Sequence, residues 1–200
     1  MSEEIKAAQE EIREENKTVK EKASGTSVYD FVSVLATAVI AVALSFMFLF
    51  RTIGVVGGSM NPTLWNGDRI ILSAFIGEPE YGDIVVTCQP DKSPIIEDVL
   101  VKRVIATEGQ TVDIDFTTGT VFVDDVALNE PYIAEPTIDR EDFDEPVTVP
   151  EGYVFVMGDN RNHSTDSRDN RIGMIREEYI MGKALFRIAP SIDFGINDYE

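Results

Sequence analysis

Polar and apolar positions divide the chain into three regions. Residues 3–22 are rich in Glu and Lys, with scattered apolar positions at Ile5, Ala7, Ala8, Ile12 and Val19. That composition suits a solvated helix or a disordered tail, and no function follows from it. Residues 31–50 read FVSVLATAVIAVALSFMFLF, without charge and almost without polarity. A helix over residues 28–50 would reach roughly 30 Å or more, enough to cross the hydrocarbon core of a bilayer. A buried helix of a soluble domain normally keeps a polar face, and this run has none. It is longer than the apolar segment of a usual signal peptide, and no small-x-small site follows Phe50. The run therefore predicts a retained transmembrane anchor.

Beyond the run the period shortens to short segments enriched in Val, Ile and Phe. Strands are expected over residues 53–56, 68–73, 83–87, 98–106, 111–115, 120–123, 153–157 and 182–188. Turn residues fall between them at Asn66-Gly67, Tyr81-Gly82, Glu108-Gly109, Thr118-Gly119 and Pro150-Glu151-Gly152. An all-β unit follows from this alternation. Residues 123–150 are poorer in strand pattern and hold many acids and prolines, so residues 113–150 or so look like an acidic insertion or excursion from the main sheet. The expected organisation is a charged tail (1–27), an anchor helix (28–50) and an all-β domain (51–200).

Cations set the orientation of the anchor. Arg13, Lys17, Lys20 and Lys22 precede the run and only Arg51 follows closely. The N-terminus is then expected in the cytoplasm and the β domain outside it, across the cytoplasmic membrane. The 200 residues carry a formal net charge of -19, which argues against nucleic acid as a partner, because a phosphate binder needs a basic face. Cys88 is the one cysteine and His163 the one histidine. An intrachain disulfide is excluded, and no metal-ligand spacing is present.

The first candidate for chemistry is Gly57-Gly58-Ser59-Met60-Asn61-Pro62-Thr63-Leu64, a few residues past the anchor. Two glycines before Ser59 let the backbone approach another chain closely, as an oxyanion site built from N–H groups requires. An ordinary Gly-Ser-Pro turn between strands fits the same residues. If Ser59 is a nucleophile it needs a base, and two candidates are open. One is His163, with Asp159 or Asp166, in a Ser-His-Asp arrangement. The other is Lys102, in the apolar strand Val99-Leu100-Val101-Lys102-Arg103-Val104-Ile105. An amine acts as a base only when neutral, and apolar neighbours or a nearby cation favour the neutral form. The third candidate is the polar stretch Gly158 to Arg168, directly after the apolar strand ending at Met157. Its density of small polar side chains suits a loop that positions other groups by hydrogen bonds and ion pairs.

Together these segments resemble type I signal peptidases, the membrane-anchored serine proteases that remove signal peptides from exported proteins. The resemblance runs from the anchor to about Pro190. It is carried by Ser59-Met60-x-Pro62-Thr63-Leu64, Gly82-Asp83-Ile84-Val85, Lys102-Arg103-Val104-Ile105, and Gly158-Asp159-Asn160-Arg161 through Ser164 and Asp166-Ser167-Arg168, in the family's order. It implies a signal-peptidase-like β-sheet or barrel domain and a Ser-Lys dyad. In that scheme Ser59 attacks the scissile carbonyl and neutral Lys102 takes its proton. Ser164 matches the serine that orients the lysine, and Arg103, Asp159, Asp166 and Arg168 match positions that hold the site by ion pairing. The Ser59 N–H would form part of the oxyanion hole. One departure is Gly57, where some members carry a serine whose hydroxyl completes that hole.

The resemblance also implies cleavage after small residues, as in Ala-x-Ala, with signal-peptide-bearing preproteins as partners and no metal or organic cofactor. Ile53, Val55 and Val101 are expected to flank a peptide bound in extended form, with Met60 and Leu64 as further pocket walls. Trp65 and Phe75 suit either the lipid surface or the core. A Ser-Lys peptidase that cleaves itself or a regulator and an inactive membrane-tethered binding domain are the alternative readings.

Overall fold

The computed structural model describes residues 2–74, 77–88 and 99–196. The chain divides into two units, Met1–Phe48 and Leu49–Glu200. In the first, helix α1 runs unbroken over Ser2–Leu49, so the charged tail and the expected anchor share one helix. No proline interrupts that stretch. Within it Val28–Leu49 is long and apolar enough to cross a membrane, with a mean hydropathy of 2.5, and none of it is buried by protein. Its few hydroxyls turn back on the helix. Ser33 donates to the Asp30 carbonyl, Thr37 to Ser33 and Ser45 to Ala41, at 2.8–2.9 Å. Side chains satisfied in this way can sit in hydrocarbon.

The second unit is built of antiparallel strands in two sheets. The larger has the order β1-β2-β11-β3-β4-β9-β10. Its strands are β1 (Phe50–Gly54), β2 (Arg69–Ser73), β3 (Ile84–Thr87), β4 (Leu100–Ala106), β9 (Tyr153–Met157), β10 (Ile175–Arg176) and β11 (Ile180–Ala189). The smaller has the order β7-β6-β5-β8. It comprises β5 (Thr111–Asp115), β6 (Thr120–Val123), β7 (Val126–Ala127) and β8 (Val147–Thr148). The expected all-β class is what the chain forms, and the eight strands read from the sequence are present within a few residues of their expected ends. Residues 89–98, which include the start of the strand expected from residue 98, lie outside the described residues.

Apolar runs without alternation mark the strands covered on both faces. In β3, Ile84 and Val86 pack under the Ser59 turn with Val55, Met60, Leu64, Ile70 and Leu72. Val85 points the other way, into a cluster with Val104, Val154, Val156 and Ile175. A third core joins the smaller sheet to the larger through Ile105, Val112, Ile114, Val121, Phe143, Phe155 and Met157. The acidic excursion is therefore a structured subdomain: it supplies β7 and β8 to the smaller sheet and sends Phe143 into the core between the sheets.

Phe143 meets the rings of Phe116 and Phe155 edge to face, each at 6.0 Å between centroids. Truncating it removes two aromatic contacts and leaves a cavity. Phe143→Ala should destabilise the full chain by about 3–5 kcal/mol, measured as a lowered urea midpoint in detergent. An unchanged midpoint would mean that the smaller sheet contributes little to cooperative unfolding.

Candidate active site

The Ser59 turn leaves β1 and is pinned from both sides by main-chain bonds. Val55 N–H donates to Asp68 O at 2.8 Å and Gly67 N–H to Val55 O at 2.9 Å. Gly57 lies at φ +91°, a conformation that side-chain-bearing residues rarely adopt. Its N–H donates to Asn66 Oδ1 at 3.0 Å. Asn160 reaches in from the far loop: its N–H donates to Ser59 O at 2.9 Å and its Nδ2 to Gly58 O at 3.0 Å. Met60 and Leu64 anchor the turn beneath, 1% and 0% exposed. The serine is thus held by its backbone while its side chain faces a cavity.

Lys102 stands in β4 opposite Val85 of β3. It is only 3% exposed and forms no salt bridge among the described residues. Burial is the largest influence on its amine and pushes the pKa below its usual value. Asp166, Glu141 and Asp159 oppose that shift, while the Arg168 guanidinium reinforces it. Arg168 is the cation that acts on Lys102, whereas the adjacent Arg103 is directed at Asp159.

Two buried ion pairs fix the loop that follows β9. Arg103 holds Asp159 through two bonds, Nε to Oδ1 at 2.8 Å and Nη2 to Oδ2 at 2.7 Å, with both side chains fully buried. The Asp159 carboxylate also accepts from Thr63 Oγ1 at 2.5 Å, tying the lysine strand to the Ser59 turn. Arg168 grips Asp166 at 2.9 and 3.0 Å and donates to the carbonyls of Arg161 and Asp139. Asp166 Oδ2 in turn accepts from Gly158 N–H at 3.0 Å. A Cβ added to Gly158 would lie 2.2 Å from Ser164 Oγ and 2.4 Å from Ser59 O. Only a glycine lets this loop press so closely against the Ser59 turn. Ser164 Oγ is buried there without a hydrogen-bond partner among the described residues.

Further residues support these pairs. Arg161 forms a third buried pair with Glu130, at 2.7 and 2.9 Å, and donates to Thr137. Tyr132 lies under Arg103 with the guanidinium 4.2 Å from its ring centre. Glu130 and Tyr132 belong to the acidic excursion, where charges and turns look like solvated surface. Arg161 and Asn160 lie in the polar loop already singled out, and that density was the available signal.

Other sequence candidates fall elsewhere. His163 is exposed on a short 3-10 turn, Arg161–His163, and does not line the Ser59 cavity. Leu64 is core rather than pocket wall, because it packs below the turn among Ile70, Leu72 and Ile84. The Gly57 N–H is engaged by Asn66, which leaves it unable to serve as a free oxyanion donor. Trp65 is 54% exposed, and Phe75 lies outside the described residues.

A cavity of about 570 Å³ brings the chemistry together. It is lined by Ile53, Val55, Gly57, Ser59 and Met60 on one side and by Val99, Leu100, Val101 and Lys102 on the other. Among the described residues β1 pairs only with β2, and β9 pairs with β4 only from Arg103 onward. Two unpaired strand edges therefore border one cavity that holds a serine and a buried lysine. A serine and a buried lysine at one cavity are the arrangement of a serine hydrolase.

Comparison with known proteins places that class within a family. The family described as signal peptidase, peptidase S26, matches residues 28–189. The chain is 37% identical over 172 residues to a probable signal peptidase I-1 of Synechocystis, covering 82% of this chain and 84% of that protein. It is 36% identical over 173 residues to signal peptidase I P of Bacillus subtilis subsp. natto, covering 82% and 90%. A chloroplastic thylakoidal processing peptidase of Arabidopsis thaliana is 37% identical over 75% of this chain and 46% of its own length. A solved signal peptidase I of Enterococcus faecalis V583 shares 30% identity, with a TM-score of 0.43 over 54% of this chain and 97% of that one. The chain belongs to the signal peptidase family, peptidase S26: it is a serine peptidase that removes signal peptides and is anchored to its membrane by the N-terminal helix.

Asp159 links three segments, so its loss leaves Arg103 buried and unpaired. Asp159→Ala should cost about 3–5 kcal/mol, read as a fall in the urea midpoint in detergent. A change below about 1 kcal/mol would mean that water replaces the carboxylate at no great cost.

Proposed function

We propose that the chain cleaves preproteins through a Ser59 nucleophile and a Lys102 general base, with the substrate held as an added strand between β1 and β4. The observation that carries this reading is the shared cavity, in which Ser59 and a desolvated lysine lie between two free strand edges. The preprotein segment before the scissile bond would take main-chain hydrogen bonds from both edges. Successive side chains of an extended chain point to opposite sides, so alternate residues face the same wall. Ile53, Val55, Met60 and Val101 make that wall apolar and close, which suits small side chains and an Ala-x-Ala site.

The chemistry follows from protonation states. Neutral Lys102 accepts the Ser59 hydroxyl proton as Oγ bonds to the scissile carbonyl carbon, and the carbonyl oxygen takes up the negative charge. Among the described residues the Gly58 and Ser59 N–H groups donate to no protein acceptor, and they are the donors we assign to that oxygen. Lys102 then returns its proton to the leaving amine as the C–N bond breaks. Water attacks the acyl-enzyme with the same lysine as base. Ser164 Oγ, buried and unpartnered beside Gly158, is the group that orients the amine. Arg103, Asp159, Asp166 and Arg168 hold the walls in place.

The cations before the anchor and the single Arg51 after it favour an N-terminus in the cytoplasm and a catalytic domain across the cytoplasmic membrane. Preproteins leaving the export machinery are then the substrates, with lipid as the surroundings and no nucleic acid partner. Protease added to intact spheroplasts should digest the domain after Phe50 and spare the N-terminal tail. The reverse pattern would invert the topology.

For the dyad, detergent-solubilised Ser59→Ala and Lys102→Met are compared with wild type on a preprotein bearing an Ala-x-Ala site. Each should lose about 10³-fold or more in kcat/KM. Because the base works only when neutral, wild-type kcat/KM should rise with pH through a Lys102 pKa held below 10.5 by burial. Undiminished cutting by Lys102→Met would remove lysine from the mechanism and turn attention to His163.

A further inference from the structure

One ionisable group near the base has no place in this scheme. Glu141 lies in the excursion, and its backbone is in the left-handed region at φ +49°. Among the described residues only Asp124 and Asp125 share that conformation without being glycine, and they form the tight turn between β6 and β7. Such a backbone persists only where its surroundings enforce it. Here the enforcement is visible. Asp139 O accepts from Arg168 Nη1 at 2.8 Å, Asp142 N–H donates to Arg168 O at 3.2 Å, and Glu141 N–H donates to Asp139 Oδ1 at 3.2 Å. The segment is stitched to Arg168 on both sides of Glu141, and the Glu141 side chain is carried into the cluster around Asp166.

The carboxyl group arrives there incompletely satisfied. Its Oε2 is buried without a hydrogen-bond partner among the described residues. A buried carboxylate oxygen without a donor is costly unless a cation faces it. Asp166, Arg168 and Asp169 from the loop after β9 act on its carboxyl group, and Glu141 acts in turn on Lys102 of β4 and on Arg171. Arg168 is already committed to Asp166, and Arg171 to Asp169. Lys102 is the one cation of this group without a salt-bridge partner among the described residues.

We propose that Glu141 is a positioning residue for the general base, and that its carboxylate stabilises the ammonium formed on Lys102 when the base takes the Ser59 proton. The inference rests on the Ser59–Lys102 reading. Glu141 itself keeps its proton count through the step, while the proton moves from Ser59 Oγ to Lys102 Nζ and on to the leaving amine. Burial, and then the neighbouring Asp166, raise the Glu141 pKa to about 7. The carboxylate therefore charges as pH rises through neutrality, and in doing so it strengthens the hold of Lys102 on a proton. The two titrations are coupled, and the acid limb of the rate profile belongs to the pair.

The sign of the effect provides the test. Removing the negative charge lowers the proton affinity of Lys102, so the neutral base persists to lower pH. In full-length Glu141→Gln in detergent, the acid limb of kcat/KM on the Ala-x-Ala preprotein should move down by about half to one pH unit. A less basic amine is also a weaker base, so the plateau should fall about three- to tenfold. Glu141→Gly should show the same limb shift, although glycine suits the backbone, and it supplies the charge deletion should the glutamine variant fail to fold. Glu141→Asp should return the limb towards wild type. A limb that stays in place in the Gln and Gly variants, or moves in Gln alone, would overturn the proposal by making Glu141 a purely structural residue. Lys102→Met distinguishes the two levels: if it is inactive while the Glu141 variants leave the limb unmoved, only the present inference fails.

Discussion

The burial of a lysine amine, Lys102, is the constraint on which the rest of this site depends. A lysine in water is a cation, and only removal from water or a nearby positive charge makes it a base. β4 supplies the burial. Its centre lies between β3 and β9, with Val104 and Ile105 committed to cores on opposite faces. A dry site leaves every neighbouring charge in need of a partner, because an unpaired ion in such surroundings is strongly destabilising. The site accordingly carries its cations in fixed pairs: Arg103 with Asp159, Arg168 with Asp166 and Arg161 with Glu130. Such pairs add little net stability compared with apolar packing. What they contribute here is position: the Arg103–Asp159 and Arg161–Glu130 pairs join segments distant in the chain, and Arg168, paired within its own loop, reaches the Asp139 carbonyl of the excursion.

The close approach of those segments depends on an absent side chain. The loop after β9 meets the Ser59 turn at Gly158, where no Cβ fits between Ser164 Oγ and Ser59 O. Main-chain bonds from Asn160 complete the junction. The strand register does the rest: Lys102 pairs with Val85 and Arg103 with Met157, so the lysine, its neighbouring arginine and the start of the polar loop are brought into line by ladder bonds alone. Ser59 and Lys102 are thereby held by the scaffold at one cavity.

Much of this was legible in the sequence, and what was not has physical reasons. Alternation and β-branched residues marked the longer strands, and the uncharged run marked the anchor. β7, β8 and β10 have two residues each, too few for a period of two to show. The three polar segments stood out because glycines, a lysine in an apolar strand and a dense polar loop are locally unusual. Glu130, Tyr132 and Glu141 are locally ordinary. Acids in a stretch rich in acids and prolines read as solvated surface, and only the fold of the excursion over the loop turns them inward. Leu64 failed for the opposite reason: its apolarity was visible, but whether an apolar residue faces a groove or a core depends on which side of the turn is covered.

The two free strand edges carry the last step. Unpaired edges invite indiscriminate pairing, and proteins usually shorten, charge or cover them. β1 is five residues long with Arg51 and Thr52 exposed, and β4 leaves only its first residues unpaired by β9. The exposed edge is thus confined to the length beside Ser59. A chain that occupies it must be extended there, whatever its conformation elsewhere. A membrane-spanning signal sequence is helical in lipid, where its own backbone satisfies itself. Its cleavage segment can exchange those helical bonds for strand bonds only where a protein edge offers them. In the proposed reading, short edges bordering one cavity select by conformation as well as by side-chain size, because a segment that stays helical has no backbone groups free to pair.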